Sequence, residues 1–385
     1  MLECAIRGYA IDPKLAVFFN RFLRQSSRKY CMSERANGLL PNVYRIVDPA
    51  VRDAIVPIFP RNVFIEVTNR CNLLCTTCPH TFTAYEPLKT LGWHEFIRIV
   101  DQFPQIERAV LHGIGEPLLN KELPRMIALL KARGATVLFN TNATLLSEDL
   151  AQKLVNSGLD ELRVSLDSLS PEIYLRIRGA PSLDKVIANL KGLSQVQREL
   201  QVDYPRVSLW MMGMKGNIHE LPDLVRLAAQ LGIPDVYLQR LVYHAHESHS
   251  PEATNADRAI FSTHNADIDR IIDEAESVAR TLKVGLHASG ATTAKQSIQK
   301  SRERTPWLQC VRPWTTAYVT VNGNALPCCI SPFATMNYQS LILGNVFDQT
   351  FGEIWNAGRY QEWRRRVLGE QPHEACAGCG TLWSL

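Results

Sequence analysis

The sequence predicts an α/β protein built on a partial (β/α)6 barrel with a small cysteine-rich domain at its C-terminal end. Three observations carry this. Short β-branched runs alternate with amphipathic helical stretches from about residue 62 to 288. Strand-then-helix repetition implies a parallel sheet with right-handed crossovers. Six such units are too few to close an eight-fold barrel. After residue 288 the composition turns polar, and a second group of cysteines follows.

Residues 1–60 read as a mostly helical extension, with Pro41, Pro49, Pro57 and Pro60 loosening the entry into the first strand. Arg21, Arg24, Arg28 and Lys29 read there as a solvated face. The barrel is assigned to 61–290, with strands expected at 63–67, 109–112, 136–140, 161–166, 207–212 and 236–241. Between them, 121–133 carries Leu123, Met126, Ile127, Leu129 and Leu130 at helical spacing, and 148–157 is similar. The last domain is assigned to 291–385, opening with a polar linker or exposed helix at 291–304. Trp355, Tyr360, Trp363 and Val367 recur at helical spacing and read as core. Arg364, Arg365 and Arg366 read as a solvated face that docks an acidic reductase.

Composition narrows the function classes. With 46% hydrophobic and 21% charged residues in 385, a large core is expected and disorder is not. A net charge of +4 gives no case for nucleic acid. No apolar run is long enough to span a bilayer, and the first residues lack the sections of a signal peptide, so a cytoplasmic protein is expected. Seven of the ten cysteines fall into ligand-like patterns rather than disulfide-like ones, leaving Cys4, Cys31 and Cys329 outside them.

The most informative run is Thr68-Asn-Arg-Cys71-Asn-Leu-Leu-Cys75-Thr-Thr-Cys78-Pro79. Thiolates are soft ligands for zinc or iron–sulfur clusters, and a [4Fe–4S] cube normally takes four. Three leave one iron open to a small molecule. An incomplete zinc site or plain core cysteines are the alternatives from spacing alone.

This motif resembles the signature of the radical S-adenosylmethionine (SAM) enzymes. The resemblance implies that the open iron chelates SAM and that an electron from the cluster splits it into methionine and a 5'-deoxyadenosyl radical. Thr77 stands where the family often has an aromatic residue or Met near the adenine. Further motifs follow strand ends in the family's order. Gly113-Ile-Gly115-Glu116-Pro117 resembles the segment that binds the SAM amino group. Thr141-Asn142 resembles Thr-Asn-Gly, with Ala143 in place of Gly. Ser165 and Asp167 are implied beside the ribose and carboxylate, and Arg178 can fork onto a carboxylate. Gly216-Asn217-Ile-His-Glu220 resembles a weaker adenine motif or is a helix N-cap.

Cys310, Cys328, Cys376 and Cys379 form C-x17-C, a long gap, then C-x2-C. This resembles the SPASM/Twitch auxiliary-cluster domain, closer to the shorter Twitch form with one second, fully ligated [4Fe–4S] cluster. The spacing also permits a Cys4 zinc site. Cys329 is a spare thiol able to substitute for its neighbour. Arg240, Tyr243 and His244 end the sixth unit at the barrel mouth and are the candidate catalytic or substrate contacts, with His246 and His249 close by. His80 and His112 adjoin the motifs and read as supports.

The implied activity is hydrogen abstraction from a substrate C–H bond, followed by net oxidation of a small molecule with the auxiliary cluster as electron acceptor. Twitch-containing relatives that dehydrogenate a sugar-like alcohol supply the analogy. Flavodoxin or ferredoxin is the implied reductant. Modification of a ribosomally made peptide is the alternative, although 1–60 shows no strand pattern of a peptide-recognition domain. A non-catalytic metal-binding structural protein is the alternative of another class.

Overall fold

The computed structural model describes residues 52–242, 266–288, 293–297, 304–377 and 379. Residues 1–51 of the N-terminal extension, and Tyr243, His244, His246 and His249, lie outside them. The chain divides into two compact units, Met1–Asn42 and Val43–Leu385. The second contains every described residue.

Seven strands run parallel and pair in sequence order: β1 (Asn62–Ile65), β2 (Arg108–Val110), β3 (Thr136–Thr141), β4 (Glu161–Ser165), β5 (Arg206–Gly213), β6 (Asp235–Arg240) and β7 (Gly285–Ala288). All six expected strands are present. A seventh strand, beyond the six expected, forms because its four residues pair with β6 from Asp235↔Gly285 to Leu238↔Ala288. Beyond them the sheet continues on the other side of β1. β8 (Thr316–Val319) pairs parallel to β1, then β9 (Asn324–Leu326) and β10 (Gly344–Asn345) pair antiparallel. The cysteine-rich segment thus extends the barrel sheet.

Alternation along each strand decides what faces the lumen. In β4, Leu162 and Val164 are buried under helices, while Glu161, Arg163 and Ser165 are half-buried on the inner face. The helices cover the outside: α1 (Trp93–Val100), α2 (Leu123–Ala132), α3 (Glu148–Asn156), α4 (Pro171–Arg178), α5 (Leu183–Glu199), α6 (Leu221–Gln230) and α7 (Ala266–Leu282). α2 buries Leu123, Met126, Ile127 and Leu130, the i, i+3, i+4, i+7 stripe of an amphipathic helix. α3 starts where the Ser147 hydroxyl accepts the Leu150 N–H. One apolar cluster runs without a break from Val63 and Leu162 to Trp355 and Val367.

The C-terminal helices α8 (Phe351–Trp355) and α9 (Gly358–Leu368) correct one expectation. Trp355, Tyr360, Trp363 and Val367 are core, as their spacing implies, but Arg364 is fully buried. Its guanidinium lies 4.2 Å from the Trp355 ring centre and 4.4 Å from that of Tyr360. It donates to the carbonyls of Pro313 and Ala54 and to Asn356 Oδ1. Burial lowers its pKa to about 10, which leaves it charged at neutral pH. Only Arg365 and Arg366 are exposed, so the run is not a three-residue basic face. The amphipathic period of α9 turns its middle arginine inward, where ring faces and backbone oxygens receive the charge.

Arg364→Ala should therefore lower unfolding stability by about 3 kcal/mol, because three acceptors lose their donor. Chemical denaturation measures this, and a change within about 0.5 kcal/mol, as at a surface site, would contradict the assignment.

Candidate cluster and cofactor site

The chain leaves β1 into the loop that carries Cys71, Cys75 and Cys78. Two glycines let the neighbouring elements close on this loop. A Cβ on Gly115 would run into the backbone oxygens of Thr68 and Arg70, and the Glu116 N–H donates to the Arg70 carbonyl at 2.8 Å. On the other side, a Cβ on Gly179 would sit 2.6 Å from the Leu74 oxygen. Gly179 also ends α4 in the left-handed region, at φ +75°. The Thr76 N–H donates to the Ile177 carbonyl at 2.9 Å. Within the loop, the Cys78 N–H and the Thr81 hydroxyl both donate to the Cys75 carbonyl.

The three thiols are free and face one another closely enough that each of Cys71 and Cys78 feels its neighbours' charge. Burial pushes the Cys71 thiol up to about 11 and the Cys78 thiol up to about 12 in the bare chain. A bound metal cation reverses that, since a coordinating thiol is deprotonated outright. Among the described residues no three side chains converge on a single metal ion. An iron–sulfur cube is wider than one ion, so thiolates on its corners stand further apart.

Arg178 links this loop to the end of β4. Its Nη2 is 2.7 Å from Asp167 Oδ2, and its Nη1 lies 3.8 Å from Cys75 Sγ. Burial disfavours the guanidinium charge, but Asp167 and the Cys75 sulfur outweigh it and hold the pKa raised. Asp167 Oδ1 accepts the Met212 N–H at 2.8 Å. Arg178 Nε and both ring nitrogens of His80 are buried with no hydrogen-bond partner among the described residues. Orphaned polar groups beside free thiols fit a site made for a polar, multi-atom ligand.

The other predicted residues come to the same end of the barrel. Glu116 is buried, and its carboxylate accepts from the Thr141 hydroxyl at 2.7 Å, the Asn142 N–H at 2.8 Å and the Leu118 N–H at 3.1 Å. The carboxylate is thus engaged by the protein, tying the Gly113–Glu116 segment to β3. Asn142 Nδ2 donates to Asn72 Oδ1 of the cysteine loop at 3.0 Å. Ala143 takes φ +56°, the conformation for which the resembling motif carries Gly. Ser165 faces the lumen opposite Trp210. Asn217 is buried and donates to the carbonyls of Asp167 and Met212; it stands at the N-cap of the turn Ile218–Glu220, where its side chain makes no capping bond.

Deeper in the lumen, the His112 ring packs edge-on to Phe64, and its Nδ1 accepts the Asn140 N–H at 3.1 Å. Burial, aided by Arg163 and Arg108, lowers its pKa to about 3, so it is neutral. Arg163 lies over the Trp210 ring, which stacks on Tyr237 at 4.3 Å, and Tyr237 meets His287 at 4.9 Å. Arg240 closes β6 at the level of Gly213. Alternation in β5–β7 could have revealed this aromatic row, since Trp210, Tyr237 and His287 share one register level and one face.

The second cysteine set gathers at the opposite end. Cys310 precedes β8 and Cys328 follows β9, both at the N-terminal end of β8. Burial pushes the Cys310 thiol up to about 12, with Cys328 and Cys379 adding to the effect. Cys376 is raised by burial and by Cys328, Cys310 and Cys379 together. The Cys379 N–H donates to the Cys376 carbonyl, the turn expected of C-x2-C. Cys329 Sγ instead accepts from Arg312 Nη1 at 3.3 Å. Four free thiols that sense one another fit a complete four-thiolate site.

Comparison with known proteins follows the same division. A family model for the radical SAM superfamily matches residues 65–228, and one for the SPASM iron–sulfur cluster-binding domain matches 310–380. The chain carries a radical SAM domain and a C-terminal SPASM domain. It is 23% identical over 328 residues to the tungsten-containing aldehyde ferredoxin oxidoreductase cofactor-modifying protein of Pyrococcus furiosus, covering 82% of this chain and 86% of that one. It is 21% identical over 322 residues to the PqqA peptide cyclase of Granulibacter bethesdensis, covering 82% and 79%. Streptococcus suis SuiB bound to S-adenosylmethionine shares the fold with a TM-score of 0.63 at 16% identity, over 94% of this chain and 75% of that one. As a radical SAM protein with a SPASM domain, the chain takes SAM, a [4Fe–4S] cluster and auxiliary iron–sulfur as its cofactors. No helix among the described residues is long and apolar enough to cross a membrane.

Gly179→Ala should force the Leu74 backbone away and lower iron in anaerobically reconstituted protein by about four per chain, with the SPASM site still loaded. Full iron loading would contradict the grip assigned to Gly179. Ala143→Gly should raise stability by up to about 1 kcal/mol, since it removes left-handed strain at a residue other than glycine. Thermal unfolding reads this directly, and a lower melting temperature would contradict it.

Proposed function

We propose that this radical SAM enzyme oxidises a small organic substrate held in the barrel lumen between its two cysteine sets. One observation carries the reading: Cys71, Cys75 and Cys78 lie at the C-terminal end of β1, whereas Cys310 and Cys328 flank the N-terminal end of its parallel neighbour β8. The lumen therefore has a three-thiolate site at one end and a four-thiolate site at the other. With its cofactors bound, the first supplies reductive SAM cleavage to a hydrogen-abstracting radical and the second supplies an electron acceptor. A substrate between them loses a hydrogen atom at one end, then an electron towards the other and a proton.

In this reading the Gly113–Gly115 backbone, Glu116 and Asn142 border SAM, and Glu116 also ties that segment to β3. Arg178 and Asp167 fix the cysteine loop against β4 and leave Arg178 Nε for the SAM carboxylate. Ser165 faces the substrate space from β4, Arg240 ends β6 at the barrel mouth, and Tyr243 and His244 follow β6 in sequence. Trp210 and Tyr237 give the lumen a flat apolar wall. Reductant is flavodoxin or ferredoxin. The likeness to the PqqA peptide cyclase favours a second reading, in which the substrate is a segment of a peptide.

With dithionite and SAM, the anaerobic holoenzyme should form 5'-deoxyadenosine and hold about eight irons. Cys71→Ala should abolish deoxyadenosine formation. Cys310→Ala should retain it but lose the oxidised product once substrate is present. Deoxyadenosine formation surviving Cys71→Ala would overturn the proposal. Turnover by the Cys310→Ala variant to the same oxidised product would remove the second site as acceptor.

A further inference from the structure

Two carboxylates that the proposed chemistry does not use flank one hairpin turn. Glu66 follows β1 and is almost wholly buried. Its Oε1 accepts the Ile114 N–H at 2.8 Å, and its Oε2 accepts the Val321 N–H at 3.2 Å. Ile114 is the centre of the Gly113–Gly115 segment. Val321 opens the turn between β8 and β9, whose second strand runs down to Cys328. Gly113 has no room for a Cβ because the Glu66 carboxylate occupies that place.

The same turn is held from its other side. Glu86 Oε2 accepts from the Thr320 hydroxyl and Asn322 Nδ2, both at 2.9 Å. Its Oε1 accepts from Asn324 Nδ2 at 2.8 Å and the Tyr338 hydroxyl at 2.7 Å. Tyr85 stacks on Tyr338 with ring centres 4.5 Å apart. Glu86 stands eight residues after Cys78. The turn at 320–324 is therefore clamped to both the glycine segment and the cysteine loop, and β9 carries it to the auxiliary site.

We propose that Glu66 is a positioning residue that couples the Gly113–Gly115 segment to the 320–324 turn, so that SAM bound at the one orders the other. The proposal rests on the reading that this segment borders SAM. Its physical basis is a single carboxylate shared by two backbone donors. A ligand that fixes Ile114 also fixes Glu66, and less ordering entropy then remains to be lost when Val321 is held.

The protonation of Glu66 sets when this works. Burial, with Glu86 nearby, raises its pKa to about 7. The other titratable groups facing it are Tyr318 and Tyr338, both raised by burial and so neutral. Above pH 7 the carboxylate accepts both N–H groups. Below it, one oxygen carries a proton and is a poorer acceptor, so the coupling weakens as pH falls.

Hydrogen exchange on the anaerobic holoprotein, with and without saturating SAM, tests this. At pH 8, SAM should slow exchange about tenfold at both 113–115 and 320–324. In Glu66→Gln the protection at 113–115 should persist and that at 320–324 should vanish. Wild type at pH 6 should behave like the variant, which keeps the test decisive if Glu66→Gln does not fold. Protection of 113–115 alone in wild type at pH 8 would overturn the coupling and leave the SAM reading intact. Protection of neither would overturn both. A Glu66 that only stabilises the fold would lower the melting temperature in Glu66→Gln with SAM-dependent protection unchanged at both segments, and that would also overturn the proposal.

Discussion

Four register pairs between β1 and β8, from Asn62↔Thr316 to Ile65↔Val319, are what the rest of the structure depends on. They join segments about 250 residues apart and make the cysteine-rich part a continuation of the barrel sheet. Because the two strands are parallel, β1 delivers its cysteine loop to one end and β8 begins beside Cys310 at the other. Four strand residues at roughly 3.3 Å each then set the scale between the two sites. A different register would shift both cysteine sets relative to the lumen and turn Phe64 and Tyr318, which stack at 6.1 Å, away from each other.

At the C-terminal end of the strands, charge and backbone act together. Loops between strands are poor at fixing a cluster by themselves, because few of their backbone groups are paired internally. Here the loop is fixed by close approach at Gly115 and Gly179, and by the backbone bonds that Glu116 and Thr76 make across it. Arg178 adds a positive charge beside Cys75, balanced by Asp167. That placement lets the protein hold thiolates in a dry setting without leaving their charge unpaired.

Much of this was legible in the sequence. The strands were readable because β-branched runs of four to eight residues alternate with 3.6-period stripes, and those periods depend on local geometry alone. The Cys71-Cys75-Cys78 run and the Cys376-Cys379 pair were readable because their spacing is short-range, whereas joining Cys310 and Cys328 to that pair rested on the resemblance to an auxiliary-cluster domain. The β1–β8 pairing was not, since nothing local in Thr-Ala-Tyr-Val announces a partner 250 residues away. Glu116 was placed at the right end of the barrel, but the bonds it accepts from Thr141 and Asn142 are a tertiary fact. Glu66 and Glu86 carried no signal, because a lone glutamate beside a strand usually faces water. Arg364 misled for the opposite reason: an Arg-Arg-Arg run reads as solvated until the helix period is applied to it one residue at a time.

The central claim is that one continuous sheet holds two cluster sites at opposite ends of a single lumen. Iron-edge anomalous diffraction from anaerobically grown crystals of the reconstituted protein tests it most directly. The account predicts two iron-cluster peaks, one within bonding distance of Cys71, Cys75 and Cys78, the other of Cys310, Cys328, Cys376 and Cys379, with the lumen between them. A single peak, or two at the same end of the strands, would contradict it.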